Sequence, residues 1–159
     1  LIDAIKPDQC TLVPDGEEQL TSDHGWNFND HADFVHPVIN QINDWGVRTA
    51  VFLDPDIEQV VMAAESGSNR IELYTEAYAQ AWSTPEKDEV LAQYSEVALK
   101  AQELGLGVNA GHDLDLLNLP AFLSIPGILE VSIGHALIIE CIEMGIDQVV
   151  GQYLDITDA

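Results

Sequence analysis

The chain has 159 residues, 47% of them hydrophobic, and sets 28 acidic side chains against 5 basic ones for a net charge of −23. That length and apolar content suit a single globular domain over residues 1–159, and the charge excludes nucleic acid and anionic membranes as partners. No apolar run approaches the roughly 20 residues of a membrane span, and the first residues lack the basic-then-apolar layout of a signal peptide, so a soluble cytoplasmic protein is expected. A carboxylate-rich exterior also suits a saline habitat. Cys10 and Cys141 are far apart in apolar company and read as buried thiols rather than a disulfide.

Residues 1–6 read as the tail of a helix, and Pro7-Asp8 breaks into a first strand-length run over 9–14 that turns out at Asp15-Gly16. Past a polar loop through Thr21 and Ser22, the residues Val35, Val38, Ile39, Ile42 and Trp45 share one helical face, with Pro37 in the first turn or at a kink. The run 47–54 is a second strand, stopped by Pro55, and Ile57, Val60, Val61 and Ala64 make a short helix that ends near Gly67. A third strand over 70–75 leads through a loop to a longer helix opened by Thr84-Pro85-Glu86. A fourth strand over 108–111, a turn-rich segment with Pro120 and Pro126, a fifth strand over 128–133 and a last helix from about Ala136 complete the chain.

Apolar strands alternating with helices through short loops predict an α/β fold with a parallel sheet. Five βα units amount to about five-eighths of a (β/α)8 barrel, whose usual length is roughly 250 residues, and an open doubly wound sheet is the rival architecture. In either, ligands gather at the carboxyl ends of the strands, where this chain offers Thr21 and Ser22, Asp54, Glu72 and Thr75, His112 and Asp113, and Gly134 with His135. None of the five basic residues falls on that face, which argues against a lysine Schiff base. Any phosphate there is left to backbone N–H groups, Thr21, a histidine or something outside the chain.

The two runs that end in Gly-His stand out. Gly134-His135-Ala136 opens a helix where a glycine permits close approach of an anion, and His112 has the titration range for general acid–base work, although a strand-end histidine can equally cap a helix. Glu72 lies inside an apolar strand and needs a purpose or a partner, with Arg70 or a polar barrel interior as the plain structural options. The acidic, histidine-bearing loop of Asp23, His24, Asp30, His31, Asp33 and His36 matches no zinc spacing and reads as a solvated surface rather than a metal site.

Taken together, Lys6-Pro7, Leu12-Val13-Pro14-Asp15, Leu20-Thr21-Ser22, Phe52-Leu53-Asp54, Ile71-Glu72-Leu73-Tyr74-Thr75, Val108-Asn109-Ala110-Gly111-His112 and Ser132-Ile133-Gly134-His135-Ala136 resemble the pyridoxine 5′-phosphate synthase family along almost the whole chain. The resemblance implies a (β/α)8 TIM barrel, here a partial one. The implied enzyme is a ring-closing transferase of vitamin B6 biosynthesis that condenses 3-amino-2-oxopropyl phosphate with 1-deoxy-D-xylulose 5-phosphate to give pyridoxine 5′-phosphate, inorganic phosphate and water. It implies no cofactor and no metal, small phosphorylated substrates, and homo-oligomers, which are octamers in the family. By the same likeness His112 matches the family's proton donor and Glu72 its transition-state carboxylate, while Thr21, Asp113, Gly134 and His135 match substrate- and phosphate-binding positions.

Two departures qualify the likeness. Asp113 stands where many members have glycine. The family's first three βα units, with further phosphate-binding arginines and catalytic bases, have no counterpart in these 159 residues, so the chain resembles the C-terminal part of such an enzyme. The alternative is a non-catalytic barrel fragment that retains phosphate binding or self-association.

Overall fold

The structure, a computed structural model, describes residues 1–158. Five strands form one parallel sheet in sequence order: β1 (Gln9–Leu12), β2 (Arg48–Leu53), β3 (Arg70–Tyr74), β4 (Gly107–Gly111) and β5 (Ile128–Ser132). Each strand neighbours the next in the chain, which is the order of a barrel wall; the doubly wound rival would reverse direction at a switch point. The sheet is also curled. Glu130 on β5 reaches across β4 to bond Arg70 on β3 and Arg48 on β2.

Alternation along the strands separates two faces. Ile71 and Leu73 of β3, Val108 and Ala110 of β4, and Val51 and Leu53 of β2 belong to the buried core against the helices. Their neighbours Arg48, Arg70, Glu72, Asn109 and Glu130 meet one another on the concave side. The interior is therefore polar. This is the one feature by which the strands depart from the continuous apolar runs of a doubly covered parallel sheet.

The helices are α1 (Ile2–Ile5), α2 (Phe28–Asp44), α3 (Ile57–Glu65), α4 (Glu76–Ala81), α5 (Lys87–Glu103), α6 (Leu119–Phe122), α7 (His135–Met144) and α8 (Ile146–Thr157). Their layout departs from the sequence expectation at four places. α2 starts at Phe28, because Asn27 caps it by accepting from the Asn29 N–H, so of the two places the sequence leaves open for Pro37 the first turn falls away and the proline lies inside the helix. The expected loop after β3 is helix α4, which carries the fully buried Tyr78 although Thr75 supplies no side-chain cap. The turn-rich segment before β5 contains α6. The single last helix is two, broken at Gly145, whose φ of 91° no helix accommodates.

Between sheet and helices, Tyr78, Tyr94 and Phe122 pack ring against ring at centroid distances of 5.1–6.2 Å. Such pairs contribute about 0.5–1.5 kcal/mol each beyond the area they bury. Cys10 and Cys141 are free and only half-buried, which corrects the expectation of buried thiols; partial burial pushes the Cys10 thiol up. Among the described residues no helix is long and apolar enough to cross a membrane.

Candidate active site

A cleft of about 530 Å3 opens over the carboxyl ends of the strands, and its walls include Thr21, Glu72, His112, Asp113, Gly134 and His135. All six candidate positions meet there, contributed by the β1–α2 loop, β3, the segment after β4 and the β5–α7 junction. Asp54 and Thr75 do not line it. Asp54 accepts the Gly25 N–H at 3.0 Å, and the Thr75 hydroxyl sits between the carbonyls of Gly111 and His112, pinning the backbone that leaves β4.

His112 follows β4 with a φ of 92° and Asp113 with a φ of 58°. Two consecutive non-glycine residues with positive φ mark a strained turn held by its surroundings. That conformation explains why glycine suits position 113, and aspartate is among the residues that tolerate it best. The imidazole Nε2 lies 2.9 Å from Thr21 Oγ1, which joins the β1–α2 loop to β4. Its Nδ1 is 3.1 Å from Asp113 Oδ2 but off the line of an N–H bond, so the buried nitrogen has no well-formed hydrogen bond among the described residues. The Tyr74 ring meets the imidazole edge-on at 4.9 Å, and the Tyr74 hydroxyl, 2.7 Å from Glu76 Oε2 and 3.3 Å from the Ser22 carbonyl, ties α4 to the same loop. Burial, followed by the Glu76 carboxylate, pushes that phenol up, so it stays protonated.

Glu72 is 9% exposed. Arg70 is not its partner, contrary to one structural option that the sequence leaves open: that guanidinium bonds Glu130 and Asn109. Thr11 donates to Glu72 Oε2 at 3.2 Å and Ser132 bonds it from β5. Burial pushes the Glu72 carboxyl up, these hydroxyls pull it down, and the Glu130 charge pushes it up again. Gly111 makes room for it. A Cβ there would lie 2.7 Å from Glu72 Oε1 and 3.0 Å from Ser132 Cβ, so any side chain at this position would push the Glu72 carboxylate out of its present place.

At the other wall Gly134 is the N-cap of α7, with open space where a side chain would be. The first N–H groups of that helix have no intrahelical acceptor, and the helix dipole adds a partial positive charge. A phosphate fits such a junction. The acidic, histidine-bearing stretch is a loop only at Asp23 and His24, since Asp30, His31, Asp33 and His36 lie on α2; His24 bonds Asp23, His31 stands edge-on to Trp26, and His36 packs on Phe28. No group of three or more His, Cys, Asp or Glu among the described residues is arranged to hold a metal ion.

Thr11, Tyr74, Asn109, Glu130 and Ser132 escape the reading of the sequence as site residues. A signal was present: polar residues recur two apart in otherwise apolar strands, as in Gln9 and Thr11, Arg70 and Glu72, and Glu130 and Ser132, which puts each pair on one strand face.

The parallel sheet, its sequential strand order and a cleft at the strand ends define an α/β protein of the (β/α)8-barrel type, here with five of its strands. The family model for "Pyridoxal phosphate biosynthesis protein PdxJ" matches residues 1–159, and the chain belongs to that family. It is 50% identical over 147 residues to the pyridoxine 5′-phosphate synthase of Albidiferax ferrireducens, with 92% of this chain and 58% of the relative covered. The corresponding protein of Xylella fastidiosa is 47% identical, covering 97% of this chain and 60% of the relative. That of Bacteroides fragilis is 45% identical, covering 96% and 65%. The chain thus spans about three-fifths of the length of the curated relatives it matches.

Proposed function

We propose that this chain supplies one wall of a pyridoxine 5′-phosphate synthase site, at which 3-amino-2-oxopropyl phosphate and 1-deoxy-D-xylulose 5-phosphate condense to pyridoxine 5′-phosphate, phosphate and water. The observation that carries the reading is the convergence of Thr21, Glu72, His112, Asp113, Gly134 and His135, drawn from four separate segments, on one cleft. The α7 N-terminus at Gly134 and His135 takes a substrate phosphate through backbone N–H groups, and the Asp113 N–H and Thr21 hydroxyl complete the grip on the substrates.

His112 serves as the proton donor. Its ring is oriented by Thr21 on one nitrogen and by the Tyr74 edge on its face, so that a proton can be delivered to a leaving hydroxyl as water departs. Glu72, below the reacting atoms, stabilises charge or protons that develop during ring closure. The imine that begins the ring forms between the two substrates, and no enzyme amine is needed; the five basic side chains all lie away from the cleft walls. Assembly into a homo-oligomer in the cytoplasm and a single barrel domain belong to the same reading.

In the full-length protein, His112→Ala is expected to lower kcat by about a hundredfold or more while KM changes little. Equal losses in both would remove His112 from the proton-donor role. A folded variant with unchanged kcat would count against the reading of the cleft as a whole.

A further inference from the structure

The concave interior of the sheet holds two carboxylates, Glu72 and Glu130, and two guanidiniums, Arg48 and Arg70. Both cations go to one acid. Arg48 Nη2 lies 3.2 Å from Glu130 Oε1, and Arg70 Nη1 lies 2.9 Å from Glu130 Oε2. Asn109 closes the arrangement by donating to Glu130 Oε2 at 2.9 Å and accepting from Arg70 Nη1 at 2.9 Å. Gln9 takes the remaining Arg48 Nε–H at 2.9 Å. A register shift between Val108 and Asn109 sets Glu130 opposite Asn109, so the strand pairing itself delivers this carboxylate to the arginines.

Glu72 is bonded one inward position further up β5, at Ser132, and at Thr11 of β1. Among the described residues it has hydroxyl partners and no cation within ion-pair distance. The charged and titratable groups around it are Glu130, Arg48 and Arg70 in the layer below and His112, Asp113 and His135 along the cleft walls. A guanidinium moved next to it would hold it ionised, since an opposite charge within about 4–6 Å lowers a carboxyl by about 1–3 pH units.

We propose that Glu130 is a positioning residue for Glu72: by holding Arg48 and Arg70 in the lower layer it keeps both guanidiniums from pairing with the Glu72 carboxyl that faces the cleft. This inference rests on the proposed function in so far as Glu72 faces the reacting atoms, and its electrostatic content stands without substrate. Burial and the Glu130 charge act in the same direction on Glu72.

The test is the infrared band of the protonated Glu72 carboxyl, assigned by its loss in E72Q and followed against pH in the full-length protein without substrate. E130Q releases both guanidiniums and removes the neighbouring charge, and should move the Glu72 midpoint down by about one unit or more. R70Q should move it the other way. The pH dependence of kcat should move with the band in both variants. A midpoint unmoved by E130Q, or moved with the same sign in both variants, would overturn the proposal and leave Glu130 a merely structural residue. Should E130Q fail to fold, R70Q decides alone, and an unmoved band refutes the inference. Band shifts as expected in a protein without synthase activity would sink the proposed function and spare this electrostatic arrangement.

Discussion

Glu72 and Gly111 occupy one small volume, and each explains the other. Because the fold raises the Glu72 carboxyl above its unfolded range, the neutral form is the one that folding favours. Its contribution to stability is therefore complete below the ordinary carboxylate range, near about pH 4, and is lost as pH rises through the folded value. Glu72→Gln should melt above the parent protein at pH 8, with the gap closing by about pH 4; thermal melts at the two pH values check this. An identical gap at both would mean that the substitution acts through packing. Gly111→Ala should displace the carboxylate, lowering kcat at least tenfold and costing about 1–3 kcal/mol of stability by denaturant titration, as overpacking does. The sequence marks Glu72 as unusual because a carboxylate interrupts an apolar strand. It does not reveal that Arg70, two residues away and on the same strand face, binds a different acid, because that partner is chosen across the barrel.

At the scale of elements, the cleft is held from behind by helix contacts that the periodicity only partly exposes. Tyr78 of α4 is fully buried, and its hydroxyl donates to the Asn118 carbonyl at 2.8 Å; burial, followed by the Asp115 charge, pushes that phenol up to about 12. Asn118 in turn donates to the Asp113 carbonyl at 3.1 Å, so α4 supports the turn that carries His112. Tyr78→Phe should cost about 0.5–1.5 kcal/mol in chemical denaturation, since it removes one hydrogen bond from a buried carbonyl that keeps the Phe122 N–H. It should also weaken substrate binding more than a surface substitution of equal cost. α4 is hard to see in the sequence because six residues are too few for a periodic pattern, and its N-cap Thr75 spends its hydroxyl on the Gly111 and His112 carbonyls rather than on the helix. α2, α3 and α5 show the opposite case: their apolar faces repeat over at least two turns, and the sequence reading locates all three, missing only the start of α2.

The whole molecule combines a net charge of −23 with a sheet whose β1 and β5 each pair on one side among the described residues. Helix α7, beside β5 in the chain, buries none of its residues, and Ile138, Ile139 and Ile142 are exposed along it. Self-repulsion of this size weakens the compact state and is screened by salt, with a Debye length of about 10 Å at 0.1 M and about 3 Å at 1 M. The melting temperature should therefore rise steadily between those two salt concentrations, in chloride as well as in sulfate. A flat response in chloride would show that surface repulsion does not limit the fold.

Alternation of apolar strands and helices, the absence of a cation on the strand ends, and the two Gly-His junctions are local properties, written in residue type and spacing, and the sequence by itself determined them. Through them it also determined the parallel α/β class and offered the strand-end positions, from which the family resemblance, not the local pattern, singled out six. Which groups face one another was decided only by tertiary structure: His112 with Thr21, Tyr78 with the turn after β4, and both arginines with Glu130 instead of Glu72. Strand curvature and a one-residue register shift select those pairs, and both arise from the packing of the whole sheet rather than from any single segment.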